Sequence, residues 1–575
     1  MTLDGLTLYY AVKEIKEEIT GCKVDKVHQP QPDTIVLALR TPGRNPRLLI
    51  SAGAADSRMY LTEQKYENPK APPMFCMFLR KHLTGARIAG VAQTGLERVV
   101  SISLETKDEL GLPRHMTLIA ELMGKYSNVM LLDERGVIMD SMRHVTEAQS
   151  RVRSVLPGLA YGQPRSDKLN PLTISRATLA EMLGQRRGKG MRGYLSQILQ
   201  GVSSQTADEI LFRYMPQGYA PQPREEERLA DVIKGFFGEP PRPTMYSRCG
   251  VPFFFAPLEY ASVAADGISH FESVNALIDR FYFRLREIAM LTRKRESLGR
   301  IVGKLLEKLG SLLEKQLFAV EQARQAEQLK NFGDLVTANI YRIRRGQSAL
   351  AAQDFATGED VAVPLDVRLS PSANAQRYYK KYNKLKSGMD MAAERMRKTQ
   401  DAIAFLESVQ ASLDACETPG ELAEVEYELS KTGFIKAAAA TLVRPAEKPS
   451  SPHRFVSTDG ITFYAGKNNR QNDELTMRTA QPDDIWLHTK DVPGSHVLIT
   501  GVKGEVPEST LLEAAVIAAT LSRAGASSRV AVDYAPRRNV RKPNGARPGM
   551  VVYEGYRTAV VTPDKALFTR LLQAQ

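Results

Sequence analysis

The chain has 575 residues, 43% hydrophobic and 25% charged, with 78 Lys and Arg against 65 Asp and Glu for a net charge of +13. That length is too great for one core, so three or four domains are expected, and no apolar run reaches the ~20 residues of a membrane span. The positive excess favours a polyanionic partner, nucleic acid being the commonest soluble one. Cys22, Cys76, Cys249 and Cys416 have no CxxC spacing, so neither a disulfide framework nor a zinc knuckle is expected. No cofactor or metal set is expected either. The N-terminus shows no apolar signal core, which with the reduced cysteines suits a cytoplasmic protein.

Residues 1–170 mix helix and strand signals. A helix is expected at 8–19, strands at 34–39 and 47–51 around the turn Thr41-Pro42-Gly43, and a strand pair at 99–104 and 116–120. Residues 74–83 form an apolar helix with a basic end at Arg80, Lys81 and His82, where His82 reads as a helix-terminal charge. Residues 171–270 turn helical, and 185–214 hold two short helices joined at Gly201-Val202-Ser203. That fits a helix-hairpin-helix unit, whose turn offers N–H groups to a phosphate. It fits a plain αα-corner equally, because Ser203 stands where the second glycine is usual.

Residues 271–440 carry apolar stripes at steps of three and four, including Leu298, Val302, Leu305, Leu309, then Tyr382, Leu385, Met396, Leu406 and Leu413. Flanked by Lys, Arg and Glu, they predict a long antiparallel coiled-coil arm rather than ordinary core helices. At 333–370 the heptads stop, and strands at 340–343 and 361–363 predict a β-containing tip with Arg342, Arg344 and Arg345. Ser370-Pro371 restarts the helix as N-cap and first residue. A Pro- and Ser-rich linker is expected at 441–452, then a small α/β domain at 453–575 with a hairpin at Asp459-Gly460 and a helix at 509–523. Its loop with Arg537, Arg538, Arg541, Lys542 and Arg547 reads as an RNA-backbone contact or a solvated loop, the contact being favoured by charge density.

Residues 466–499 are the densest in chemistry. Asn468, Asn469, Gln471 and Asn472 can read base edges or fix a tight turn. Trp486 and His488 share one face of a strand, and the turn Pro493-Gly494-Ser495 can bring His496 to His488. A paired-His hydrolase would need a metal set or a partner for Asp483 and Asp484, so stacking and hydrogen bonding to nucleotides is the favoured expectation.

These motifs (GKNN, QND, DIWLH, PGSH, KPNGARPG), with Leu3-Asp4-Gly5-Leu6, PPMFCMFLRKHL, Glu121-Leu122-Met123-Gly124-Lys125 and LSPSANAQRYYKKY, resemble the NFACT family along essentially the whole chain. The resemblance implies a multidomain α+β protein. Its parts would be an N-terminal glycosylase-like α/β domain, a helix-hairpin-helix domain, a coiled-coil arm with a β-containing tip and a C-terminal RNA-binding domain. It further implies a ribosome-associated quality-control factor and no enzyme. Such a factor binds large ribosomal subunits carrying a stalled peptidyl-tRNA, recruits tRNA (alanyl-tRNA in bacteria), and supports C-terminal tailing that marks the nascent chain for degradation. The tRNA-binding set would then be Glu97, Arg98, Glu121, Met123, Gly124 and Lys125 together with Asn468, Asn469, Gln471, Asn472, Trp486, His488 and His496. The rRNA-binding set would be Arg342, Arg344, Arg345, Arg537, Arg538, Arg541 and Lys542. Glu97 stands where the family has aspartate, and Leu122 where isoleucine is expected. Two further readings are a DNA-glycosylase-like enzyme and a fibronectin-binding adhesin. The first lacks the N-terminal proline-glutamate pair; the second lacks an export signal or wall anchor.

Overall fold

The computed structural model describes residues 3–107, 111–150, 153–164, 166–186, 190–215, 225–324, 326–355, 357–436, 450–502 and 504–573. The chain divides into two compact units, Met1–Ile288 and Ala289–Gln575. It is a multidomain α+β protein with a β-rich N-terminal part, long helices and a small β-rich C-terminal part. The linker expected at 441–452 lies, as far as residue 449, outside the described residues.

The first unit begins with α1 (Gly5–Ile19), whose N-cap Asp4 accepts from the Thr7 N–H at 2.8 Å. Nine strands follow: β1 (Lys23–Gln31), β2 (Thr34–Arg40), β3 (Arg47–Ser51), β4 (Arg58–Leu61), β5 (Arg87–Gln93), β6 (Val99–Lys107), β7 (Pro113–Glu121), β8 (Asn128–Leu132) and β9 (Ile138–Ser141). They form one antiparallel sheet in the order β4-β3-β2-β1-β5-β6-β7-β8-β9. The α2 helix (Met74–Leu83) lays Phe75, Cys76, Leu79 and Leu83 into the core. Four helices, α3 (Arg176–Gly184), α4 (Met191–Ile198), α5 (Ser204–Tyr214) and α6 (Glu225–Gly238), and the strands β10 (Thr244–Arg248), β11 (Val251–Ala256) and β12 (Gly267–His270) complete it. Sheet, helices and the first residues of α7 (Val274–Arg324) share one hydrophobic core.

In the second unit α7 continues, followed by α8 (Ala326–Ala338) and α9 (Pro371–Ala415). Leu298 and Val302 cluster with Phe405, Leu406 and Val409, while Gly333 of α8 lies against Tyr379 of α9. Rising numbers on one side meet falling numbers on the other, so the pairing is antiparallel. Between α8 and α9 lies the hairpin β13 (Ala349–Gln353) and β14 (Asp360–Pro364). The strand expected at 340–343 is instead a 3₁₀ turn, Ile340–Arg342. The second helical stretch is also not continuous. It breaks after Ala415, and the capping box of Thr418 and Glu421 starts a separate helix, α10 (Pro419–Lys431).

The C-terminal part carries a six-stranded sheet in the order β15-β16-β18-β17-β19-β22. Its strands are β15 (His453–Val456), β16 (Thr462–Ala465), β17 (Ile485–Thr489), β18 (Val497–Ile499), β19 (Val530–Pro536) and β22 (Arg557–Val561). A small ladder pairs β20 (Val540–Arg541) with β21 (Val552–Tyr553). The helices are α11 (Asn469–Glu474), α12 (Glu508–Thr520) and α13 (Lys565–Gln573). The last two pack with the sheet in one core.

A polar seam fastens this domain to α9 and α10. Glu421, Glu424 and Glu428 stand at i, i+3 and i+7, so they share one face of α10, and all three are buried. Lys467 Nζ lies 2.7 Å from Glu421 Oε1, and Asn468 Nδ2 donates to Glu424 Oε2 at 2.7 Å. Gln471 Nε2 donates to the Ser450 carbonyl at 2.7 Å, and Asn469 Nδ2 to Ser408 Oγ at 2.9 Å. Arg547 lies over the rings of Phe405 and Phe434, at 5.3 and 4.7 Å. Glu428 is the least well served: its Oε1 has no hydrogen-bond partner, and burial pushes its carboxyl up to about 7.

That shift sets a pH dependence. The folded value lies above the ordinary 4.5, so the stabilisation from holding Glu428 protonated is full below that value and lost as pH rises through 7. Glu428→Gln keeps the shape without the charge. It is expected to match the native chain near pH 5 and to exceed it by about 1–3 kcal/mol at pH 8, read as a pH-dependent gap between melting curves. A gap that does not change with pH contradicts this.

Candidate nucleic-acid interface

In the first unit, Glu97 and Arg98 occupy the turn between β5 and β6, immediately before Val99. Three backbones interlock behind that turn. A Cβ on Gly5 would lie 1.8 Å from the Leu96 carbonyl oxygen, and one on Gly201 3.0 Å from Leu96 Cβ. Only glycine permits such an approach at both places, which accounts for the glycine in Leu3-Asp4-Gly5-Leu6 and for Gly201 in the turn between α4 and α5. Gln93 Nε2 donates to the carbonyls of Gly5 at 3.0 Å and Glu97 at 2.8 Å, and Gln200 Oε1 accepts from the Leu96 N–H at 3.2 Å. Ser203, read as a departure from a two-glycine turn, caps α5 through Thr206.

The turn lines a cleft of about 400 Å³ with Asp4, Lys168, Ser203 and Tyr260 also on its walls. Glu97 Oε1 accepts from Ser166 Oγ at 2.6 Å, which fixes the carboxylate. The half-buried Arg98 guanidinium has no ion-pair or hydrogen-bond partner among the described residues, while its carbonyl accepts from the Leu122 N–H at 2.8 Å. A half-buried guanidinium without a carboxylate partner is a ready anion contact. Lys168 adds a second cation, donating to the Ser196 carbonyl at 2.9 Å.

Glu121 is not part of an accessible site. It is fully buried and paired with both ends of the Arg153 guanidinium, at 2.7 and 2.5 Å, and accepts from the Tyr161 hydroxyl at 2.8 Å. Its expected contact with tRNA is corrected to a structural one, because a carboxylate out of water needs those donors. Met123 is half-buried, and Gly124 opens the 3₁₀ turn Gly124–Tyr126. Lys125 is exposed, with its Nζ 4.9 Å from the centre of the exposed Tyr126 ring. Tyr126, Ser166 and Lys168 escaped the sequence reading. Only the Lys-Tyr pairing beside Gly124 was a signal that could have found one of them.

In the second unit the expected base readers are corrected. Asn468, Asn469, Gln471 and Asn472 are all buried, the first three in the seam, and Asn472 Oδ1 accepts from the His496 N–H at 3.0 Å. Trp486 is completely buried and packs with Leu498, Val540 and Tyr553, so its ring has no face for a nucleotide. The turn does bring His488 and His496 together, with ring centres 5.3 Å apart. Burial pulls His488 down to about 4 and holds His496 well below its ordinary value. Both are therefore neutral near pH 7 and supply no charge to a phosphate. His496 Nδ1 shares a hydrogen bond with Thr476 Oγ1 at 2.8 Å. Among the described residues no group of three or more His, Cys, Asp or Glu could hold a metal, and no helix is long and apolar enough to cross a membrane.

The basic loop is partly consumed by its own fold. Arg537 Nε donates to the Thr476 carbonyl at 2.7 Å, Lys542 pairs with Asp473, and Arg538 with Asp483. Arg541 is exposed and forms no ion pair among the described residues. Arg342, Arg344 and Arg345 are exposed beside Tyr341, which is 80% exposed.

Residues 4–446 match the NFACT N-terminal and middle domains, and residues 451–555 the NFACT protein RNA binding domain. The chain is 34% identical over 577 residues to the Rqc2 homolog RqcH of Bacillus subtilis (strain 168), covering 98% of each. The N-terminal structure of the fibronectin/fibrinogen-binding protein from Streptococcus suis is 32% identical over 48% of this chain and 98% of that one, with a TM-score of 0.43. The C-terminal structure of the same protein is 31% identical over 49% and 98%, with a TM-score of 0.40. With one family spanning both units from end to end, the chain belongs to the NFACT family.

Proposed function

We propose that this chain is a ribosome quality-control factor that binds the large ribosomal subunit left with a stalled peptidyl-tRNA. There it recruits tRNA, alanyl-tRNA in particular, for mRNA-independent C-terminal tailing that marks the nascent chain for degradation. The observation that carries the reading is the end-to-end likeness to a protein named Rqc2 homolog RqcH, across both the N-terminal and the RNA-binding parts. The chain acts in the cytoplasm by binding and positioning, and peptide-bond formation belongs to the ribosome.

In this reading Arg98 and Glu97 are the tRNA contact of the N-terminal, glycosylase-like domain and its helix-hairpin-helix neighbour. The Arg98 fork takes two phosphate oxygens, and the carboxylate beside it accepts from a base edge. Lys125 and Tyr126 offer a cation and an exposed ring, a pair suited to phosphate and to an unstacked base. The long helices act as a coiled-coil arm. With 51 residues, α7 spans about 75 Å, enough to place a β-containing tip with Arg342, Arg344 and Arg345 on rRNA.

Glu97→Ala combined with Arg98→Ala is expected to leave folding and subunit co-sedimentation intact, remove tRNA from the purified complex and stop tailing. Glu97→Asp should be mild. A double variant that still carries tRNA and still makes tails refutes the assignment. Changing Arg342, Arg344 and Arg345 together to alanine is expected to weaken subunit co-sedimentation at least tenfold while isolated tRNA binding persists. Unchanged sedimentation would remove the tip from the interface.

A further inference from the structure

The first unit bears a second concentration of unpaired charge, around α2 and on strands β1, β3 and β7. The inner face of that helix is buried, while Met74 is 89% and Met77 52% exposed, and Lys81 is exposed beside them. Arg80 is anchored through Nε to the Val27 carbonyl at 2.8 Å, which brings it against β1. His82 packs on Phe78 at 4.6 Å between ring centres.

The charged groups facing the two imidazoles here are all cations: Arg80, Lys26 and Arg47 around His28, Arg114 and Lys81 around His82. None of these five forms an ion pair among the described residues, although Arg44–Glu18 and Arg58–Asp56 pair off elsewhere in the same unit. Asp25 and Glu63, on the adjoining strand and loop, form no ion pair with them either. Left without carboxylates, these five cations give this part of the unit a positive field that favours an anionic partner.

Their place in the sheet separates them from the cleft. Arg114 pairs across β6 with Thr106, whereas the cleft end of the same two strands is the pair Val99 and Glu121. Seven residues of strand, at about 3.3 Å each, put the two ends roughly 23 Å apart. α2 leads into β5 through Ala86, at the end of β5 away from the Glu97-Arg98 turn.

We propose that the exposed side of α2 with Lys81, together with Lys26 of β1, Arg47 of β3 and Arg114 of β7, is a second RNA contact that grips the sugar-phosphate backbone of folded RNA without reading its sequence. Uncompensated cations release counterions when they meet phosphates, which gives affinity but no base preference. The neutral imidazoles of His28 and His82 supply hydrogen bonds rather than charge, and the exposed Met74 and Met77 side chains offer apolar surface to ribose edges. The proposal rests on the reading that the chain handles RNA, and it adds a site distinct from the Arg98 cleft.

The test uses the full-length chain and a 5′-labelled mixed-sequence RNA duplex of about 16 base pairs, near the span of known duplex readers, followed by fluorescence anisotropy across salt. Lys26→Gln, Lys81→Gln and Arg114→Gln together are expected to lower the slope of log affinity against log salt by about 2, at up to ~0.7–0.9 per lost contact, and to weaken binding about tenfold or more at physiological salt. Should the triple variant melt early, Lys81→Glu alone, on the exposed side of α2, is expected to weaken duplex binding several-fold. An unaltered slope in both variants overturns the proposal, as does loss of binding to phosphatidylserine vesicles with duplex binding intact. If Arg98→Ala keeps its tRNA while the triple variant loses duplex affinity, the cleft assignment falls and the α2 site stands.

Discussion

Glu424 Oε2 accepts from the Asn468 carboxamide at 2.7 Å, with Ser450 Oγ donating to the same oxygen at 3.0 Å and the Arg470 guanidinium 3.8 Å away. A carboxylate taken out of water costs several kcal/mol unless donors replace the water, and removing one partner from such a pair typically costs about 3–5 kcal/mol. The second unit is fastened along this seam, where α10 presents three buried carboxylates and the segment around α11 presents an amine and three carboxamides. The first unit meets the same constraint with Glu121, held by Arg153 and Tyr161. In the second unit the polar residues that look most like a nucleic-acid site in the sequence are spent on satisfying buried groups, and in the first unit Glu121 is. What remains for a polyanion is the set of cations left over at the surface.

That division orders the basic residues of the molecule. Arg153, Arg537 and Lys542 close internal networks, and Arg547 caps two aromatic rings. Arg98, Arg541, Lys81 and the arginines near Tyr341 are left without carboxylates. An RNA-binding surface assembled this way takes its affinity from phosphates and its register from the rigid elements behind each cation. The Glu97-Arg98 turn is the best supported of these elements, since Gly5, Gly201, Gln93 and Gln200 all hold it from behind.

Much of the fold was legible because its signals are local. The strands at β2 and β3, the turn at Thr41-Pro42-Gly43 and the Ser370-Pro371 helix start all follow from residues within a few positions. The break before α10 had a local signal as well, the Thr418 to Glu421 capping box behind Pro419, which the longer apolar stripe outweighed. The apolar and aromatic residues at 340–343 suggested a strand, but Ile343 is drawn toward the small core beside the β13–β14 hairpin while Tyr341 faces solvent, and a 3₁₀ turn accommodates both. The candidate site was legible in part. Arg98 and Lys125 stay accessible, whereas the fate of Asn468 depends on Glu424, 44 residues earlier, and no local pattern announces that pairing. Trp486 shows the same limit: its period-two partnership with His488 was readable, but the side of the sheet closed over by Val540 and Tyr553 was not.

The proposed work of this chain on large ribosomal subunits with tRNA can be read directly from the RNA it touches in the cell. The most direct measurement is ultraviolet crosslinking of the full-length protein in growing cells, followed by stringent purification and sequencing of the attached RNA. Enrichment of large-subunit rRNA and of a narrow class of tRNA over small-subunit rRNA and mRNA is expected. Attached RNA that mirrors total cellular RNA, or that lacks both rRNA of the large subunit and tRNA, would contradict it.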